Sequence, residues 1–297
     1  TSAANRLKAG HADAVVPDTA VAIRDHIGDF LRQRRRRTSL LRAIEQSATR
    51  VSTLRKSIES ARRRRSAPAP RRQRDLLRFS FRGHWRPTQP VLRRGLVHAA
   101  WGDLDGKPAL GIIIGYEGAR GAGVGIDEAS AVVEMVRHAA IASHDAPAPI
   151  LTFLFCQGHA IDVEQERHGL LGALAECLRS LVAARLLGHP LLCVLGGGAY
   201  GAAYLAFAAP SHRILAMKGT TVAPMAPKVL AAFRSLRGIR EAPDTPADLA
   251  ELIPDIRTVE SVIRLPNALR EELDALRGSL LTPHRTAPRR VRRATPS

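Results

Sequence analysis

The stretch PLLCVLGGGAYGAAYLAFAA, residues 190–209, carries the clearest signals of the fold. Its first part, PLLCVL, is a continuous apolar run, which is typical of a parallel strand covered on both faces. Its last part, from Gly201 to Ala209, is predicted to be a short helix, so the glycines join a strand to a helix. The letters from Gly196 to Gly201 also satisfy G-x-G-x-x-G, the spacing of dinucleotide-binding loops. This glycine turn is therefore the first candidate for a functional site.

Three interpretations of the glycine turn are open. A dinucleotide site also needs an acidic residue about 20 positions further on, and none lies between Glu176 and Glu241. A Walker-type phosphate loop is excluded because no glycine run ends in G-K-[ST]. The glycines could serve only a tight turn and close helix packing. Alternatively, free backbone N–H groups at the start of the helix could stabilise an oxyanion, and the segment 155–159 could form a similar turn before a long helix.

Apolar strands alternate with helical patterns through the middle of the chain. We predict a hairpin turn at 101–107, strands at 109–115, 149–155, 190–195 and 213–217, and helices at 128–143, 164–187, 226–236, 246–253 and 267–277. Asp127 is a candidate cap of the first of these helices. The alternation predicts a layered α/β domain with a largely parallel sheet.

Charge divides the chain into parts. Residues 1–95 carry 24 Arg and Lys against 7 Asp and Glu, whereas residues 96–284 carry 16 against 20. We therefore place the domain at 85–284, behind a strand–helix segment at 1–32 and a basic, partly disordered linker at 33–84, with a basic tail at 285–297. Residues 40–61 of the linker show a helical pattern. The arginine runs could bind nucleic acid, meet an acidic protein or stay solvated, and the lack of interleaved aromatics disfavours nucleic acid.

The three cysteines, Cys156, Cys177 and Cys193, lie in apolar runs without C-x-x-C spacing. This disfavours a zinc site or disulfides and fits a reducing cytosol. No apolar run reaches about 18 residues, the length of a membrane helix, and no signal peptide is evident. We therefore expect a soluble, cytoplasmic protein without a metal. Cys156 and His159 could form a nucleophile–base pair, although a buried structural thiol is favoured because Cys156 continues an apolar strand.

Several motifs resemble one enzyme family. The stretch VLGGGAYGAAYLAFAAPSHRILAM, residues 194–217, resembles the oxyanion turn of the crotonase-like carboxyltransferases. More closely, residues 95–277 resemble the gamma subunit of biotin-independent malonate decarboxylase. The residues that carry this resemblance lie at 123–128, 184–190, 212–216 and 225–228. It implies a crotonase/ClpP-like layered α/β fold.

The resemblance also implies a function. Members of the family decarboxylate a malonyl group held as a thioester on an acyl carrier protein, and a beta and a gamma subunit form the decarboxylating unit. Carried over by position, the amides of Gly201 and Ala202 would form one oxyanion hole, and those of Gly158 and His159 a second. Lys228 could steer a carboxylate or the phosphopantetheine of the carrier protein. A decarboxylase subunit without a tightly bound cofactor, in a hetero-oligomer with the beta subunit and the carrier protein, is thus expected.

Two features depart from the family pattern. The family usually has Ser-Gly where this chain has Gly201-Ala202, and a glutamine where it has His159. A non-catalytic structural subunit is therefore an alternative, and a basic nucleic-acid-binding protein is a third hypothesis. The segment 1–32 resembles the closing strand and helix of the beta-type partner. On one interpretation this chain joins a beta-subunit tail to a gamma subunit, and on the other the arginine-rich region is an unordered extension without a specific role.

Overall fold

The computed structural model describes residues 37–63, 85–115, 123–142, 146–156, 158–223 and 256–281. Its helices are α1 (Arg37–Arg63), α2 (Ile126–Ala142), α3 (Val163–Arg167), α4 (Leu170–Leu186), α5 (Gly201–Phe207) and α6 (Leu265–Leu281). Its strands are β1 (Trp85–Pro87), β2 (Leu92–Arg94), β3 (Val97–Leu104), β4 (Lys107–Ile114), β5 (Ile150–Leu154), β6 (Leu191–Leu195), β7 (Gly198–Tyr200), β8 (Arg213–Met217), β9 (Thr221–Ala223) and β10 (Ile256–Val259).

One large sheet organises the described part of the chain. Its strand order is β1-β3-β4-β5-β6-β8-β10, and β2 also pairs with β3. The pairs from β4 to β10 are all parallel, whereas β1, β2 and β4 pair with β3 in the antiparallel sense. The antiparallel β3–β4 pair turns at Asp105–Gly106, within the predicted hairpin turn. The largely parallel sheet predicted from the alternating pattern is confirmed.

Helices cover both faces of this sheet. Leu154, Cys193 and Ile214 face a core shared with α1, α2, α4 and α5. Phe153 and Val194 face the opposite core, which is closed by α6. Successive residues of a strand point to opposite faces, so both faces must be apolar when both are covered. This burial explains the continuous apolar runs of β5 and β6.

A second, small sheet lies beyond the main one. β7 and β9 pair in parallel, with Gly198 opposite Thr221 and Tyr200 opposite Ala223. A separate parallel bridge joins Val124 to the segment after β5. Both features follow the carboxyl ends of main-sheet strands, which is where parallel α/β sheets place their binding sites.

The start of α2 differs from the prediction. The helix begins at Ile126, and Asp127 lies in its first turn instead of capping it. Glu128 caps the helix instead, because its carboxylate accepts a hydrogen bond from the Gly125 N–H at 2.9 Å. This contact is one of the two hydrogen bonds of a capping box. Asp127 accepts a hydrogen bond from Arg55 of α1 at 3.3 Å instead. The Asp127 prediction was wrong because the helix begins one residue before Asp127.

The single long helix predicted at 164–187 is two helices. The chain breaks at Gly169, which has a φ of 90°, between α3 and α4. Leu54 of α1 lies 3.1 Å from the position that a Cβ would take at Gly169. The lack of a side chain at Gly169 therefore allows α1 to pack closely here. Asp162 caps α3, since its side chain accepts the Glu164 N–H at 2.9 Å.

Helix α1 belongs to the folded core. Its sequence pattern was recognised, but the segment was placed in a basic linker. In the structure Val51 and Ile58 are 0% and 2% exposed within the core shared with α2 and α4. The buried Glu176 of α4 accepts hydrogen bonds from Ser47 at 2.6 Å and Arg50 at 2.9 Å. The surplus of arginine in this region is typical of a solvated linker, whereas the apolar face of the helix is buried in the core.

Other predictions were made for residues outside the described ranges. They are the segment 1–32, the helices at 226–236 and 246–253, and the tail 285–297. The last predicted helix, 267–277, is confirmed within α6. In the part of the chain that the structure describes, none of the helices is long and apolar enough to cross a membrane.

Candidate functional site

The glycines of the opening motif are required by their neighbours. A Cβ at Gly196 would overlap the Phe155 ring, and a Cβ at Gly198 would overlap the Tyr200 ring. Gly201, the first residue of α5, has a φ of 54°, in the left-handed region that favours glycine. Each of these three glycines therefore has a steric or conformational reason to be there without any dinucleotide.

The first turn is Gly201–Ala202, after β7. Tyr200 precedes it in an extended conformation, with φ −121° and ψ 142°, and makes no side-chain cap. The first N–H groups of an α-helix have no acceptor within the helix, and this applies to those of the first turn of α5. Gly201 and Ala202 are both partly buried. The turn thus presents backbone donors at a sheltered position.

Tyr200 fastens this turn to β9. Its side chain is 6% exposed, and its hydroxyl oxygen lies 2.7 Å from Oγ1 of Thr221. The neighbouring Thr220 donates its hydroxyl to the Leu195 carbonyl at 3.1 Å. Sequence reasoning missed both threonines. Their only signal was a Thr-Thr pair after β8, which carries no motif.

The second turn is Gly158–His159, after β5. The Val124 N–H donates to the Gly158 carbonyl, and the Ala160 N–H donates to the Val124 carbonyl, each at 2.9 Å. Peptide groups along a strand alternate in direction, so the N–H of His159 points away from Val124. Gly158 has a φ of 141°, and the position of its missing Cβ lies 3.7 Å from the Tyr200 carbonyl oxygen. The structure therefore brings the two predicted turns together.

Cys156 lies beside the second turn and is buried. Burial raises the pKa of its thiol to about 12, although the Gly158 N–H directed at the sulfur lowers it. The thiol is therefore protonated at neutral pH, which supports the structural role over a nucleophile paired with His159. The Gly158 amide, one of the four predicted donors, faces this sulfur. Within the described ranges, no cluster of three His, Cys, Asp or Glu side chains could hold a metal ion.

An open cleft of about 400 Å³ adjoins the second turn. It is lined by His159, Ile161, Asp162, Val163, Glu166 and Arg167. Ile161 is 83% exposed and Val163 66% exposed. Exposed apolar side chains beside a cleft are candidates for contact with another molecule. Lys228, the fifth predicted site residue, lies outside the described residues.

Comparison with known proteins gives the family. The family model of the malonate decarboxylase gamma subunit matches residues 119–281, more than half of the 297-residue chain. Among solved structures, a Pseudomonas malonate decarboxylase MdcD–MdcE hetero-dimer is similar. The two are 25% identical with a TM-score of 0.50, and the match covers 64% of this chain and 84% of that one.

Biotin-dependent carboxylases are similar as well. Probable acyl-coenzyme A carboxylase beta3 subunits of Mycobacterium tuberculosis and Mycobacterium bovis are 30% identical over 201 residues, which is 62% of this chain. The chain spans 39% of the length of those relatives. The beta subunit of Pseudomonas aeruginosa geranyl-CoA carboxylase shares the fold, with 16% identity, a TM-score of 0.51 and coverage of 64% and 38% of the two chains. The predicted crotonase-like fold is confirmed, and the chain belongs to the family of malonate decarboxylase gamma subunits.

Proposed function

We propose that this chain is the gamma component of a malonyl-thioester decarboxylase that works with a beta-type partner and an acyl carrier protein. The observation that carries the proposal is the pairing of two glycine turns, Gly158–His159 and Gly201–Ala202, beyond neighbouring parallel strands. Membership of the family supports the reaction class. The similar Pseudomonas protein is a hetero-dimer, which supports a partner subunit.

The chemistry needs a stabilised oxyanion. When the bond between the malonyl carboxylate and the methylene carbon breaks, CO2 leaves. The electron pair of the broken bond stays with the methylene carbon and forms an enolate with the thioester carbonyl. Backbone N–H groups aimed at the enolate oxygen lower the barrier. The methylene carbon then takes up a proton, which gives the acetyl thioester. In this proposal Gly201 and Ala202 supply donors on one side, and His159 of the second turn supplies its amide on the other, since the Gly158 amide faces the Cys156 sulfur.

The changed residues of the motif still allow this role. Every residue except proline carries a backbone N–H, so Ala202 keeps the donor that the family places there. His159 likewise keeps its amide. Lys228 is a proposed contact for the carboxylate or for the phosphopantetheine of the carrier protein, which would be the prosthetic group that delivers the substrate.

Reconstitution tests the function. We expect the full chain, together with its beta-type partner and a malonyl-loaded acyl carrier protein, to release CO2 and form the acetyl thioester, as followed by mass spectrometry of the carrier protein. The partner with the loaded carrier alone is the control. An equal rate without this chain would contradict the proposal and would leave a structural subunit as the function.

The cleft beside His159 supplies a prediction about the partner. We expect Ile161→Glu to weaken binding of the beta-type partner by about tenfold or more, because a buried charge at an apolar contact is costly. Ile141→Glu is the matched control. Ile141 is also exposed, at 53%, but lies near the far end of α2, about 22 Å along the helix axis from Ile126. Surface plasmon resonance measures the affinity of each variant for the beta-type partner. Equal affinities of the two variants would show that the interface lies elsewhere.

A further inference from the structure

We infer that Glu128 and Gln165 are positioning residues that set the direction of the amides in the Gly158–His159 turn. This inference rests on the proposed function, because it concerns the second of the two turns that would stabilise the enolate. Neither side chain belongs to the predicted site, and both act through the backbone of residues 123–126, which we call the clamp segment.

Glu128 holds the clamp segment from one side. Its side chain is 8% exposed. One carboxylate oxygen accepts the Gly125 N–H at 2.9 Å, and the other accepts the Leu96 N–H at 2.9 Å. A Cβ at Gly95 would overlap this carboxylate. One buried group therefore ties the clamp segment to the turn between β2 and β3.

Gln165 holds the clamp segment from the other side. It is 7% exposed, and its side-chain oxygen accepts the Ile126 N–H at 2.8 Å. A Cβ at Gly125 would overlap its amide group. Gln165 lies on α3, which follows the second turn directly in the chain. It therefore connects the clamp segment to the helix that leads away from that turn.

The clamp segment in turn holds the second turn. Val124 makes two backbone hydrogen bonds, to Gly158 and from Ala160, and these enclose His159. A Cβ at Gly123 would overlap the His159 carbonyl, so the two segments are in close backbone contact. The orientation of the His159 peptide group is thereby coupled to Glu128 and Gln165.

The free-energy cost of burying the Glu128 carboxylate supports the inference that this residue positions backbone groups. Burial raises the pKa of Glu128, although the N–H groups of Leu96 and Gly125 oppose this effect. A carboxyl whose pKa is raised on folding loses stabilisation as the pH rises through that value. Burial therefore makes the charged form of Glu128 less favourable in the folded chain than in the unfolded one. Glu128 holds the N–H groups of Leu96 and Gly125 in fixed positions. This role explains the presence of Glu128 better than a contribution to the stability of the fold does.

Substitution of Gln165 tests the inference in the reconstituted complex. We expect Gln165→Leu, which removes the acceptor, to lower kcat by about 10- to 100-fold with KM changed less than about twofold, since misplacing a catalytic group costs rate more than binding. Gln165→Glu keeps an acceptor and should restore most of kcat. The matched control is Gln46→Leu, the same change on the exposed face of α1.

Hydrogen exchange separates this inference from the proposed function. We expect Gln165→Leu and Glu128→Gln to speed exchange of the Val124 and Ala160 amides, while the amides of β6 keep the wild-type rate. Unchanged exchange at Val124 and Ala160 would overturn the inference. Faster exchange with an unchanged kcat would support the positioning but refute the catalytic role of the second turn.

Discussion

Replacing Ala202 by proline should lower kcat for decarboxylation by about 10²- to 10³-fold, the cost of removing one oxyanion donor. Proline lacks the N–H that Ala202 presents in the first turn of α5, and that turn of a helix tolerates proline. Ala202→Gly keeps the N–H and is the matched control, for which we expect less than a threefold change. Single-turnover assays with the malonyl-loaded carrier protein measure both variants.

The conformation of Gly201 calls for a second variant. A proline restricts the residue before it, and Gly201 has a φ of 54°. An ester bond in place of the Gly201–Ala202 amide removes the N–H without adding a ring, and it should lower kcat similarly. Circular dichroism and thermal unfolding check that each variant is folded. A folded ester variant with the wild-type kcat would exclude this amide as a donor.

The second large effect concerns the glycine run itself. Gly196→Ala should reduce the free energy of unfolding by about 3 kcal/mol, because its new methyl group would overlap the Phe155 ring and overpacking is destabilising. Gly278→Ala is the matched control with the opposite sign. No atom lies within 4 Å of the position of its new Cβ, and it lies in α6, so we expect stabilisation by about 0.5–1 kcal/mol. Urea unfolding measures both.

A double variant identifies the cause. If the overlap with Phe155 is responsible, Phe155→Leu should recover part of the loss in the Gly196→Ala background, as a coupling of at least about 1 kcal/mol in a double-mutant cycle. Additive effects of the two changes would show that the backbone of the turn, and not the ring, resists the methyl group.

Much of the fold could be predicted because its signals are local. The apolar runs of β5 and β6 indicated buried parallel strands, and Asp105–Gly106 indicated a hairpin. The predictions that were wrong concern residues that contact helix α1, which is distant from them in the sequence. Helix α1 takes Asp127 as a hydrogen-bond partner and packs Leu54 at Gly169. Neither contact has a signal near those residues in the sequence.

The features of the candidate site were likewise only partly predictable from the sequence. From the sequence one could predict that GGGAYG joins a strand to a helix and that a second turn follows β5, because periodicity and glycine spacing act over a few residues. The short strand β7 within this motif, Gly198–Tyr200, was not predicted, because it forms by pairing with β9. The contact of Gly158 with Tyr200 and the hydrogen bonds by which Glu128 and Gln165 hold the clamp segment could be seen only in the folded structure. These contacts depend on which strands pair and which helices pack together, and the packing of the whole domain sets that arrangement.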